Sequence, residues 1–201
     1  MAASSILSIS SIVFLAFLRS HNTTAAAARK HSSMITMPVL FIFCHPAITD
    51  SIDGFNIFLC TKLMACIYSA FCNEGNVIKP YLVYQKDAVA EYWIPGAFSN
   101  ETASRVLEGT KKVVNDSNGT GYAAHRDDIL LAGKTGTAEI KASKDDTSGT
   151  ELGWFAIFTA EDTVERPILI ISMVEDVKGR GGSGYVVKKD NLVLEEWFGS
   201  N

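Results

Sequence analysis

Leu131-Ala132-Gly133-Lys134-Thr135-Gly136-Thr137-Ala138-Glu139 is the stretch on which the reading of this 201-residue chain turns. Apolar Ile129, Leu130 and Leu131 lead into Gly133, and a cation, two hydroxyls and a second glycine come within the next four residues. That is a strand whose end presents polar groups to a ligand. Gly136 has no Cβ, so a ligand can come close enough to take hydrogen bonds from the main-chain N–H groups there. Lys134 supplies a point charge suited to a carboxylate, and Thr135 and Thr137 add short, directional hydroxyls beside it.

Two chemistries compete for Gly133-Lys134-Thr135. A phosphate-binding loop needs Gly-x-x-x-x-Gly-Lys-Thr, and its first glycine would fall at position 128, which is Asp128. A carboxylate there repels phosphate, and the residues before Gly133 form an apolar run rather than a glycine loop, so the nucleotide reading is rejected. The other chemistry is that of the Lys-Thr-Gly box of serine acyl-transferases of the penicillin-binding and β-lactamase kind.

The residues after the box decide between that chemistry and a bare strand end. Fifteen residues past Thr137 comes Leu152-Gly153-Trp154-Phe155-Ala156-Ile157-Phe158, then a turn at Glu161-Asp162, then Pro167-Ile168-Leu169-Ile170-Ile171-Ser172-Met173-Val174. The order of box, hydrophilic loop, Gly-Trp-Phe strand, apolar strand and closing helix resembles the penicillin-binding protein transpeptidases, and Ala-Gly-Lys-Thr-Gly-Thr-Ala-Glu is most similar to their class B type. The resemblance runs from about Ala65 to Phe198, the C-terminal half of such a domain. It implies an α/β fold of the α+β kind, an antiparallel sheet with flanking helices, incomplete because only that half is recognisable.

By the resemblance, Lys134, Thr135, Gly136 and Thr137 bind substrate. Lys134 and Thr135 would hold its carboxylate, and the Thr137 N–H would be half of an oxyanion hole. The ligands implied are a β-lactam or a peptidoglycan stem peptide ending in D-Ala-D-Ala; no cofactor or metal is implied. The family's other two boxes are not found. No lysine has a serine three positions before it, so a Ser-x-x-Lys box is absent. The one Ser-x-Asn, Ser20-His21-Asn22, lies in the apparent leader. Where the family has Gly-Tyr-Gly-Gln-Gly, this chain reads Asp53-Gly54-Phe55-Asn56-Ile57-Phe58. No catalytic residue is therefore identified. The expectation is a transpeptidase-like fragment, inactive alone; the alternative is a noncatalytic module that holds a peptide carboxylate in the Lys134 groove. A third arrangement has the missing N-terminal half, with its serine, on another chain.

Composition agrees with one globular domain: 47% hydrophobic and 20% charged residues. A formal net charge of −4 without a basic cluster leaves no electrostatic footprint for nucleic acid. Residues 1–30 read as a secretory leader, with an apolar run of 13 residues from Ile6 to Leu18, and imply an extracytoplasmic chain, secreted or membrane-associated. Residues 31–64 show no clean period and are unassigned. Residues 65–198 form the transpeptidase-like part. Cys44, Cys60, Cys66 and Cys72 lack Cys-x-x-Cys spacing and read as small buried apolar residues.

Along that part, Leu63, Met64, Ile67 and Phe71 predict a helix over 62–73, closed by Gly75. Val77 to Tyr84 reads as a strand, and Gly75, Asn76 and Pro80 stand where the family has a Gly-Asn-x-x-x-Pro turn. Ser99 caps the best helix of the chain, whose apolar positions run from Ala103 to Val114. Strands are expected at 129–138, 152–159 and 168–174, antiparallel because their connections are short, and a last helix over 185–198. His125 reads as structural. Asn22, Asn100, Asn115 and Asn118 each open an Asn-x-Ser/Thr triplet that could carry a glycan in an exported eukaryotic chain.

Overall fold

The computed structural model of the protein describes residues 11–17, 19–20, 35–36, 39–43, 52–80, 91–141, 143–161, 163–164 and 166–199. In chain order these form strand β1 (Ser11–Phe17), the two-residue strands β2 (Arg19–Ser20) and β3 (Ile35–Thr36), β4 (Val39–Phe43), helix α1 (Ile52–Cys72), β5 (Val77–Ile78), β6 (Tyr92–Ile94) and α2 (Asn100–Asn115). A single 3-10 turn at Tyr122–Ala124 then leads to β7 (Leu131–Ile140), β8 (Thr150–Thr159), β9 (Ile168–Val174) and α3 (Ser183–Phe198).

Five strands make one sheet in the order β4-β1-β9-β8-β7, and every neighbouring pair is antiparallel. The alternation of side chains along β8 and β9 divides the core in two. Phe155, Ile157, Ile168, Ile170 and Val174 meet Val186, Val187 and Leu194 of α3 on one face. Ala156, Phe158, Leu169 and Ile171 meet Ala65, Met64 and Tyr68 of α1 and Leu107 of α2 on the other. Both faces are covered, which is why all seven residues of β9 are buried and its sequence is apolar at six of seven places. Helix α2 closes the β7 side, with Val114 in the first cluster and Leu107 against the second. Its start is fixed as expected: the Ser99 hydroxyl accepts the Thr102 N–H at 3.1 Å.

Two expectations are corrected. Helix α1 begins at Ile52, ten residues before the predicted start, so the boundary drawn at residue 64 falls inside an unbroken helix. The segment before Lys62 is apolar at so many positions that no 3.6-residue stripe stands out, and a glycine in a first turn costs a helix only about 1 kcal/mol. The predicted strand over 77–84 is described only as Val77–Ile78; it pairs with Tyr92–Ile94, a strand the sequence reading missed, and 81–90 lie outside the described residues. Within the run expected to be a leader, Ser11–Phe17 form β1, whose register against β9 runs from Ser11↔Val174 to Phe17↔Ile168. Residues 1–10 and 21–34 of that region lie outside the described residues.

Among the described residues no helix is long and apolar enough to cross a membrane. Cys66 is 2% exposed and burial pushes its thiol up, in keeping with its reading as a small core residue. Cys44 lies outside the described residues.

Candidate functional site at the β7 edge

No strand pairs with the outer side of β7 among the described residues, so the direction of its main-chain groups decides what the site can do. The Ala160 N–H donates to the Leu130 carbonyl at 2.9 Å, one step outside the register pair Leu131↔Thr159. In an antiparallel ladder such bonded pairs recur every second residue. Ala132, Lys134, Gly136 and Ala138 therefore turn their N–H and C=O toward β8, while Gly133, Thr135, Thr137 and Glu139 turn theirs to the open edge. Two bonds arriving from outside the ladder agree with this parity. The Asn115 amide donates to the Leu131 carbonyl at 2.8 Å, and the Lys134 ammonium donates to the Thr135 carbonyl at 2.5 Å.

Side chains obey the other alternation. Lys134 is exposed, and its ammonium lies back along the edge on the Thr135 carbonyl. Thr135 is buried, 7% exposed, with its hydroxyl 2.6 Å from that of Thr120. Thr137 is exposed, and its Oγ1 accepts the N–H of Ser183, the first residue of α3, at 3.1 Å. Gly136 stands opposite Trp154. A Cβ at Gly136 would come no nearer than 3.7 Å to any neighbour, an ordinary contact, so the chain's own packing does not require glycine there. Gly133 is the opposite case: its Cβ would fall 2.7 Å from the Ala156 carbonyl oxygen and 3.1 Å from Phe155 and Val114. That glycine lets α2 lie close against β7. The four site residues predicted from the sequence are thus contiguous along one edge, with Trp154 half-buried behind them and Phe155 fully buried.

The segment between α2 and β7 holds the edge in place. Asn115 uses both amide hydrogens, one on the Lys111 carbonyl at 2.7 Å and one on Leu131, and its oxygen lies 3.1 Å from His125 Nδ1. His125 stacks on Tyr122 with ring centroids 5.3 Å apart, and its Nε2 is 3.3 Å from Asp127. Buried Arg126 grips both oxygens of Asp128 at 2.8 Å and reaches the Gly199 carbonyl at 2.9 Å, joining the end of α3 to the approach to β7. The Arg126 guanidinium holds the Asp128 carboxyl below its usual range. The residue that excluded a phosphate loop is therefore an anchor of the fold.

The description of the penicillin binding protein transpeptidase domain matches residues 61–192 of this chain. The chain belongs to the penicillin-binding protein transpeptidase family. Penicillin-binding protein 3 of Bacillus subtilis (strain 168) is 40% identical over 126 residues, a match covering 63% of this chain and 18% of that protein. The chain thus spans less than a fifth of that relative's length. Among solved structures, the apo TP domain of Burkholderia pseudomallei penicillin-binding protein 3 is similar in fold, with a TM-score of 0.53 at 20% identity over 68% of this chain and 42% of that one. The D,D-transpeptidase domain of the Eggerthella lenta peptidoglycan glycosyltransferase gives a TM-score of 0.49 at 29% identity, covering 69% of this chain and 32% of that one.

The penicillin-binding fold expected from the sequence is thus the fold of this family member, and the match begins close to the predicted limit at Ala65. Sequence reasoning missed three residues that touch the edge: Asn115, Thr120 and Ser183. Gly119 and Gly121 flank Thr120 in the sequence, but nothing there ties that stretch to Thr135. Ser183 sits among Gly179, Gly181, Gly182 and Gly184, and nothing in that spacing ties it to Thr137. Of the Ser-x-Asn candidate, His21 and Asn22 lie outside the described residues.

Proposed function

We propose that this chain is a penicillin-binding, D,D-transpeptidase-like unit whose β7 edge receives the carboxylate end of a D-Ala-D-Ala stem peptide, or a β-lactam in its place. The observation that carries the reading is the opening at Gly136. The fold does not need a glycine there, yet a side chain would stand where an extended ligand has to approach. On either side of it the N–H groups of Thr135 and Thr137 point outward, Lys134 offers a compact positive charge, and a peptide laid along the edge can bond the main chain as an added strand. A carboxylate next to that ammonium gains a charge-assisted hydrogen bond.

The chemistry ends at binding. Acyl transfer through serine requires an activated hydroxyl, and no Ser-x-x-Lys stands in the chain. The Thr137 N–H can stabilise an oxyanion, but one donor without a nucleophile leaves no covalent route. A chain that binds stem peptides would work on the extracytoplasmic side, where that substrate is. Incubation with a fluorescent penicillin is expected to leave no label that survives denaturation. Retention of a stoichiometric label would refute the reading and require another nucleophile. The same site serves the second reading, a noncatalytic module for peptide carboxylates, and the exposure of Lys134 and the free edge favour it over a role in turnover by this chain alone.

A further inference from the structure

We infer that Thr120, which no family box contains, is a positioning residue of the β7 edge: its hydroxyl donates to Thr135 Oγ1 and so turns the Thr135 proton toward the bound carboxylate. The inference rests on the carboxylate-binding reading of the β7 edge.

Geometry puts Thr120 where it can do this. After the last turn of α2 the chain folds back on itself, with Gly119 N–H bonded to the Asp116 carbonyl at 2.7 Å and Gly121 N–H to the Val113 carbonyl at 2.9 Å. A Cβ on Gly119 would lie 2.3 Å from the Val113 carbonyl oxygen, and one on Gly121 would lie 3.2 Å from the same atom and 3.3 Å from Phe155 Cε2. Gly119 is therefore held to glycine by close approach and Gly121 is tightly confined, which fixes Thr120 between them. It is exposed, whereas Thr135, fifteen residues on, is buried, and their oxygens are 2.6 Å apart.

Counting protons fixes the direction of that bond when a ligand is present. A hydroxyl has one proton to give and two lone pairs to receive. A carboxylate only accepts, so Thr135 can bind it only by donating, and its oxygen must then accept from elsewhere. Thr120 is the hydroxyl within reach. Thr137 is arranged in the same way, since its oxygen accepts the Ser183 N–H and keeps its own proton for a ligand. The two threonines of the box are thus both set as donors, one by the turn after α2 and one by the start of α3. If Thr120 is lost, the Thr135 hydroxyl loses its side-chain partner among the described residues, and its proton is no longer directed.

The test is calorimetric titration of the full chain with diacetyl-L-Lys-D-Ala-D-Ala and with its C-terminal amide, for wild type, Thr120→Ser and Thr120→Val, with thermal melting of each. Thr120→Val is expected to weaken the carboxylate peptide about tenfold and the amide less than twofold, while Thr120→Ser stays within twofold of wild type for both. An equal loss for both peptides would mean a merely structural role and overturn the inference, as would wild-type affinity in Thr120→Val. If Thr120→Val melts far below wild type, Thr120→Ala is read in its place by the same criterion. A wild type that binds neither peptide defeats the carboxylate reading and this inference with it, whereas a wild type that binds with an indifferent Thr120 defeats this inference alone.

Discussion

Asp190→Asn is expected to raise the stability of this protein above neutral pH and to flatten its pH dependence. Asp190 lies on the buried side of α3, fully inaccessible, where one carboxyl oxygen accepts the Ser172 hydroxyl at 2.6 Å and the other has no hydrogen-bond partner. Burial pushes the carboxyl up from 3.8 to about 8, against the Ser172 bond that lowers it. The folded protein therefore keeps a proton that the unfolded chain releases. Such a raised carboxyl makes stability fall with pH, by about 1.4 kcal/mol per pH unit once the unfolded group has titrated, until the folded group titrates near 8. Between pH 5 and 7 the loss is about 3 kcal/mol, large against a typical total of 5–15 kcal/mol. Asparagine imitates the neutral acid in shape and cannot ionise, so the variant should lack this slope. The assay is urea unfolding at pH 5, 6, 7 and 8 for both proteins, with the difference between them read at each pH so that titrations elsewhere cancel. A difference that does not change with pH would refute the argument, because it would mean that Asp190 is already ionised in the folded state.

Gly133→Ala should cost about 1–3 kcal/mol in urea unfolding, since its methyl would fall 2.7 Å from the Ala156 carbonyl oxygen and the strand would have to shift. Gly136→Ala, by contrast, should unfold within about 0.5–1 kcal/mol of wild type, given the 3.7 Å clearance, and should lose peptide binding; unchanged binding would contradict the approach at that position. Lys134→Ala should weaken a D-Ala-D-Ala peptide by roughly 1.5–3 kcal/mol, and Lys134→Arg should restore it only in part, because a planar fork does not put its charge where an ammonium sits. Phe155→Ala should cost about 3–5 kcal/mol, as the side chain is fully inaccessible between the sheet and α3, and a near-neutral result would show that the first core cluster is misassigned.

The parts of the fold that were legible in the sequence are those with a clear period or a clear stop. Helix α2 carries a Ser99 cap and an apolar stripe from Ala103 to Val114, and the observed helix, Asn100–Asn115, starts at that cap and ends one residue past that stripe. Strand β9 was read at Ile168–Val174 because an apolar run of that length between Pro167 and charged Glu175-Asp176 has few alternatives. Strand β7 was displaced by two residues at both ends, starting at Leu131 and running on as exposed Glu139 and Ile140, and β8 by two at its start, in polar Thr150 and Glu151. The start of α1 was missed for a physical reason. Ile52, Phe55, Ile57, Phe58, Leu59 and Cys60 crowd the stretch before Lys62 with apolar residues, so no helical period stands out there.

The site divides along the same line. Lys134, Thr135, Gly136 and Thr137 are adjacent in sequence and were found from a motif. The support given by Asn115, Thr120 and Ser183 reaches β7 across 16, 15 and 46 residues, and only the fold creates those contacts. Parity belongs to the same class: which N–H groups of β7 face outward depends on the ladder with β8, and no period in the sequence records it.

Amide chemical shifts of uniformly ¹⁵N-labelled protein, tracked during titration with diacetyl-L-Lys-D-Ala-D-Ala, test the central claim most directly. The Thr135 and Thr137 amides, which point to the open edge, should move most and saturate together, with Lys134 and Gly136, bonded toward β8, moving less. Shifts centred elsewhere on the molecule, or no shift in a folded protein at millimolar peptide, would contradict a carboxylate site on the β7 edge.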